Sequence, residues 1–193
     1  MPTMATVAAP QAERRSNAWA LLPFGVFALV ALTLGIVART QVTADGNAQG
    51  TYVELLFTST IHMKAWLATA VALLACAQLF TAAWIFRKLP FDKPAWVNLV
   101  HRWTGRLAFL ISLPVAYHCI FRLGFQGDEG RVVLHSLAGC AFYGAYVAKV
   151  LIVKMRRYPV WVIPTAGGLL FTALITIWYT SALWFFTTID SGL

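Results

Sequence analysis

The sequence predicts an all-α integral membrane protein, an up-down bundle of five transmembrane helices. Three observations carry that prediction. Hydrophobic residues make up 60% of the 193 positions and charged residues only 11%, against roughly a quarter charged in a soluble chain. The apolar residues gather into five runs, each long enough to cross a hydrocarbon core of ~30 Å. The polar stretches between the runs are short and leave no room for a separate soluble domain.

Residues 1–17 are polar and Ala-rich, with Glu13, Arg14 and Arg15 just before the first run. They read as a disordered cytoplasmic tail, and residues 18–193 as one helical bundle. The first span covers about 18–38. Its apolar run is too long for a secretory signal, and no small-x-small cleavage site follows, so an uncleaved helix is expected. A polar loop with turn chemistry at Asp45-Gly46 leads to a second span over about 52–86. The prolines of RKLPFDKP end it. The third span covers about 96–123, the fourth 131–153 and the fifth 160–186, with the basic loop KMRRYP between the last two.

The net charge of +8 would suggest nucleic acid in a soluble protein. Here the cations flank apolar runs, which points to topology and anionic lipid instead. With the N-terminus inside, Arg14, Arg15, Arg87, Lys88, Lys93, Arg102, Arg106, Lys149, Lys154, Arg156 and Arg157 fall on the cytoplasmic side. Only Arg39, Lys64, Arg122 and Arg131 fall outside. The positive-inside rule therefore predicts N-terminus in, C-terminus out, in a multi-pass plasma-membrane protein. Cys76, Cys119 and Cys140 lie inside apolar runs without disulfide or zinc spacing; small buried hydrophobes are the default for such residues.

The four histidines carry the functional information. Ionisable groups within spans are costly and mark functional sites. His62, His118 and His135 come from three different spans at similar depth near the outer side, while His101 stands alone near the inner side. Imidazole ligates haem iron, and helical bundles build such sites from facing helices. Arg122 follows His118 by four residues and Arg131 precedes His135 by four, so each pair shares a helix face. Both arginines, with Lys64 as a third cation, suit the two propionates of a haem. Gly139 leaves room for a flat ring. Diagonal geometry favours His62 with His135, whereas the paired arginines favour His118 with His135. His135 is common to both arguments, and the third histidine is left to support a ligand by hydrogen bonding, to donate to a propionate or to form part of a quinol pocket. One haem b is expected. Two would suit the histidine count, but His101 and His118 are about 25 Å apart along one helix and on different faces, though Pro114 softens that argument by kinking it.

The stretches HRWTGRLAFLISLPVAYHC and RVVLHSLAGCAFYGAYVAKVLIV resemble a family of actinobacterial membrane proteins. That family is itself similar to cytochrome b561-like and ferric-reductase-like haem bundles. The resemblance implies a b-type cytochrome that passes electrons between a quinone pool, such as menaquinone, and an outer-face partner, a Rieske-type iron–sulfur protein or a cytochrome c. The paired histidines of related families imply two haems. The distribution here, three outer and one inner, departs from that pattern and suits a single haem near the outer face.

Two other readings compete. A non-catalytic anchor subunit of a respiratory or redox complex would use Gly139, Ala141, Gly144, Ala145 and Ala148 as a helix-packing face. A small transporter or metal-handling protein would want polar residues near the bilayer middle, where spans one and five offer little beyond Thr and Ser.

Overall fold

The computed structural model describes residues 18–41, 54–127 and 129–189. The expected N-terminal tail and the loop after the first span lie outside them. All regular structure among the described residues is helical: α1 (Ala18–Gln41), α2 (Thr60–Ile85), α3 (Val97–Tyr117), α4 (Gly130–Met155), α5 (Val162–Trp178) and the short α6 (Trp184–Thr188). A π turn, His118–Leu123, prolongs α3, and a second, Tyr179–Leu183, joins α5 to α6. Five continuous helical stretches are therefore long and apolar enough to cross a membrane: Trp19–Gln41, Thr60–Ile85, Val97–Leu123, Gly130–Met155 and Val162–Thr188. The chain is a multi-pass membrane protein by that measure.

The second span starts at Thr60 rather than near position 52. Ser59 has extended backbone, and its hydroxyl accepts from the His62 amide at 3.4 Å. That N-cap satisfies a donor the first helical turn leaves open and so sets the start. At the other end Arg87 turns left-handed, with φ 55°, before Pro90 and Pro94 forbid further helix. Helix α4 ends the same way, at Arg156 with φ 49°.

Helices α2 to α5 form an antiparallel ring. In lipid the apolar effect does not drive helices together, so small residues and interhelical hydrogen bonds carry the packing. Gln78 on α2 donates from Nε2 to the His101 carbonyl and the Thr104 hydroxyl of α3. Trp178 of α5 donates to Thr69 of α2 at 3.0 Å. Arg131 of α4 donates to the Thr180 carbonyl at 2.8 Å. Val71, Ala72, Phe142 and Leu174 form the buried centre of the ring. Helices α3 and α4 meet through long side chains: Tyr143 donates to the Ser112 hydroxyl at 2.9 Å.

Helix α1 stands outside the ring, along α4 and against the first π turn. A Cβ on Gly144 would lie 2.7 Å from the Phe27 carbonyl oxygen, so the two backbones touch there. The expected small-residue face of α4 thus divides: Gly144 packs on α1, while a Cβ on Gly139 would meet nothing within 4 Å. At the end where α1 finishes and α4 begins, the Phe125 amide donates to the Ala38 carbonyl at 3.0 Å. This is called the Arg131 end below.

Candidate functional site

A chamber of about 370 Å³ opens inside the Arg131 half of the bundle. Its wall is mostly apolar, with Val71, Phe142, Leu174, Trp178 and Phe185 among the lining residues. Its polar groups come from several helices: Lys64, Cys119, Arg131, His135, Tyr143 and Thr180. Both π turns contribute to the wall. A π turn inserts an extra residue into the helical repeat and often marks a functional site. Here the second one is braced by its own hydroxyls. Thr180 donates to the Thr176 carbonyl at 2.7 Å and Ser181 to the Ile177 carbonyl at 2.7 Å. Each is the side-chain bond to the carbonyl one turn back that a helical Ser or Thr commonly makes.

His135 faces the chamber, and its hydrogen-bond partners assign its tautomer. Its Nδ1 lies 3.2 Å from the Thr180 hydroxyl oxygen. The hydroxyl proton is committed to the Thr176 carbonyl, so the oxygen accepts and Nδ1–H donates. Nε2 therefore carries the lone pair and faces the Cys119 thiol at 3.8 Å. Lys64 is also within reach of that thiol. Arg131 lies one turn from His135. Its guanidinium holds the Thr180 carbonyl, sits 3.8 Å from the centroid of the Trp184 ring, and pairs with exposed Glu129 at 3.3 Å.

The other predicted residues stand elsewhere. His62 is outside the chamber lining. Its Nδ1 meets the Ser59 hydroxyl at 2.7 Å, and its ring packs edge-on against Phe185 at 5.3 Å. His118 is 1% exposed and also outside the lining; its Nδ1 donates to the Pro114 carbonyl at 2.7 Å. Arg122, 5% exposed, is buried as well and outside the lining. Both residues belong to the first π turn, which prolongs α3. His101 sits toward the opposite end, with Nδ1 on the Thr81 hydroxyl at 2.8 Å.

Of the predicted set, then, His135, Arg131, Lys64 and Gly139 come together around one space. A bis-imidazole haem takes two imidazoles across one space, and the described residues present one. Among them no group of three or more His, Cys, Asp or Glu is placed to hold a metal ion. Thr180 was not legible as a site residue; its only sequence signal is a Thr-Ser pair inside an apolar run.

The chain belongs to a family of unknown function, DUF6529, whose family model matches residues 20–192. No curated protein and no solved structure matches it.

Proposed function

We propose that this chain is a quinone-linked membrane redox subunit that holds a quinol head in the Arg131-end chamber. The observation that carries the reading is the convergence of His135, Arg131 and Lys64 on a single space whose wall is mostly apolar. A quinol is a flat apolar ring with an oxygen at each end. It needs few polar partners and an apolar wall, the usual composition of a small-molecule pocket.

The tautomer of His135 suits the reduced form. Its Nε2 is an acceptor, which a quinol hydroxyl can donate to and a quinone carbonyl cannot. Lys64 and Arg131 are donors only, so they stabilise an oxygen that is losing its proton. Oxidation of one quinol releases two protons and two electrons. In this reading one proton passes to Nε2 of His135 and the other to water at the Arg131 end. The electrons leave singly to a one-electron redox protein, iron–sulfur or c-type cytochrome, docked at that end. In this reading that end lies on the outer face of the plasma membrane, which the distribution of Lys and Arg along the sequence supports.

A haem b in the same chamber is the second reading. The observation favouring it is the Nδ1 bond of His135, since a ligating imidazole donates its other N–H to a fixed acceptor. His135 would bind the iron, and Arg131 and Lys64 would hold the carboxylates. Haem would supply one-electron chemistry at that position.

One preparation tests both. The full-length protein is purified in mild detergent, its visible spectrum is recorded, and its organic extract is analysed for quinone. About one quinone per chain, lost in His135→Leu and partly kept in His135→Gln, supports the first reading. A Soret band with a reduced-minus-oxidised change supports the second. Neither quinone nor haem would overturn both and leave a structural anchor.

A further inference from the structure

The chamber has a neighbour. A second cavity of about 210 Å³ lies between α1 and α3, with Tyr143 of α4 in its wall. Four residues line both spaces: Leu34, Ala116, Ile120 and Tyr143. The cleft's own lining residues, Leu113, Tyr117 and Phe121, are 41%, 37% and 39% exposed, on a stretch that spans the membrane. The cleft exists because α1 packs along α4 and the first π turn but not along α3. Toward the Arg131 end the Phe125–Ala38 backbone bond ties the π-turn segment to α1, so the cleft faces sideways into the bilayer rather than toward water.

The two spaces differ in chemistry. The chamber holds the cations, the imidazole and the thiol. The cleft is lined by aliphatic and aromatic side chains, with the Tyr117 and Tyr143 hydroxyls as its only side-chain polar groups. The Tyr143 hydroxyl is turned to Ser112 at 2.9 Å. An amphipathic ligand would put its head in the first space and a hydrocarbon chain in the second. A chain leaving sideways stays in hydrocarbon throughout, so it exchanges lipid contacts for protein contacts without exposure to water.

We propose that the α1–α3 cleft is the lateral portal through which an isoprenoid-tailed quinol enters the chamber, and the groove in which its tail lies once the head is bound. The proposal rests on the quinone reading above and narrows its substrate to membrane-soluble quinones bearing a hydrocarbon tail. Ile120 and Leu34, common to both walls, are the side chains that must move aside for passage.

The test uses the full-length protein in lipid nanodiscs and two probes. One is a tail-less methylnaphthoquinol; the other is the same ring bearing an isoprenoid tail. Binding is read from quenching of tryptophan fluorescence, with Trp178 and Trp184 in the chamber wall. Leu113→Trp and Phe121→Trp fill the cleft from side chains that are not part of the chamber lining. Wild-type protein is expected to bind both probes. Each variant is expected to lose at least about tenfold in affinity for the tailed probe, a difference of about 1.4 kcal/mol, and to bind the tail-less probe as wild type does. Retained tail-less binding shows that the variant is folded. Unchanged binding of both probes in both variants would overturn the portal and leave the chamber reading standing. Loss of both probes with unchanged thermal unfolding would also overturn it, because the side chains would then be closing the chamber itself. If wild-type protein bound neither probe, the quinone reading would fail, and the portal with it.

Discussion

The Thr180 hydroxyl oxygen and Nδ1 of His135 lie 3.2 Å apart between the second π turn and α4, and this contact assigns the lone pair of His135 to Nε2, the nitrogen facing the Cys119 thiol. Replacing Thr180 with Val keeps the shape and removes the acceptor. The imidazole then loses its fixed tautomer, and a neutral hydrogen bond worth about 0.5–1.5 kcal/mol goes with it. Quinol affinity is expected to fall about 3- to 10-fold in Thr180→Val and to hold in Thr180→Ser. Nitrogen chemical shifts of His135 should report a single Nδ1–H form in wild type and a mixture in Thr180→Val. An unchanged tautomer would show that the hydroxyl does not set it.

Arg131 acts on the same residue by a different route. It holds the Thr180 carbonyl at 2.8 Å and covers the Trp184 ring, so it fastens α4 to the π turn that shapes the chamber. Arg131→Gln should lower stability by about 1–3 kcal/mol, from a charged hydrogen bond and a cation–π contact. Glu129→Gln is the contrast. Its carboxylate is exposed and its pair with Arg131 spans 3.3 Å, so its loss should cost well under about 1 kcal/mol. Thermal unfolding in detergent, followed by Trp fluorescence, separates the two. Equal effects would mean that the surface pair, not the Thr180 carbonyl, is what Arg131 contributes.

Five membrane-crossing helices were legible because hydropathy sums over about twenty residues and needs no knowledge of neighbours. Helix ends were less so. The apolar stretch before Ser59 reads as span, yet a single side-chain cap outweighs it and α2 begins at Thr60. Arg131 and His135 were legible as a pair because both lie on regular helix, where residues four apart share a face. The mirror pair, His118 and Arg122, was not. Sequence gives depth along a helix but not which neighbour a side chain meets, and both residues, in the π turn, are buried outside the chamber lining. His62 shows the same limit. It lies at the expected helix end, but Phe185, against which its ring packs, lines the chamber and His62 does not. Thr180 escaped notice because a threonine in an apolar helix usually bonds only its own backbone, as this one also does.

The outer position of α1 has its own check. A Cβ on Gly35 would lie 3.8 Å from Sγ of Cys140, close enough for a disulfide between the two helices. Gly35→Cys is expected to cross-link to Cys140 under mild oxidation, and the cross-link to disappear in a Cys140→Ala background. Gly144→Leu pushes side-chain atoms into the Phe27 backbone, which cannot yield as a side chain tip would. It should weaken the α1–α4 contact by about 1–3 kcal/mol and reduce the cross-linking yield. Efficient cross-linking in Gly144→Leu would place the two helices together by contacts other than this one.

The proposed direction of electron flow depends on which way the bundle sits. The loop after the first π turn carries Gln126, exposed at the Arg131 end, and the loop after α2 carries Lys88, exposed at the opposite end. In a background where Cys76, Cys119 and Cys140 are replaced by alanine, each position can hold the single cysteine. Gln126→Cys is expected to react in intact cells with a maleimide that does not cross membranes. Lys88→Cys is expected to react only after the membrane is opened. This pattern follows from the cluster of Arg87, Lys88 and Lys93 beside one end of α2, since cationic loops are retained in the cytoplasm. The reverse pattern would put the chamber toward the cytoplasm. An electron acceptor would then have to be a cytoplasmic protein, and the released protons would stay inside the cell.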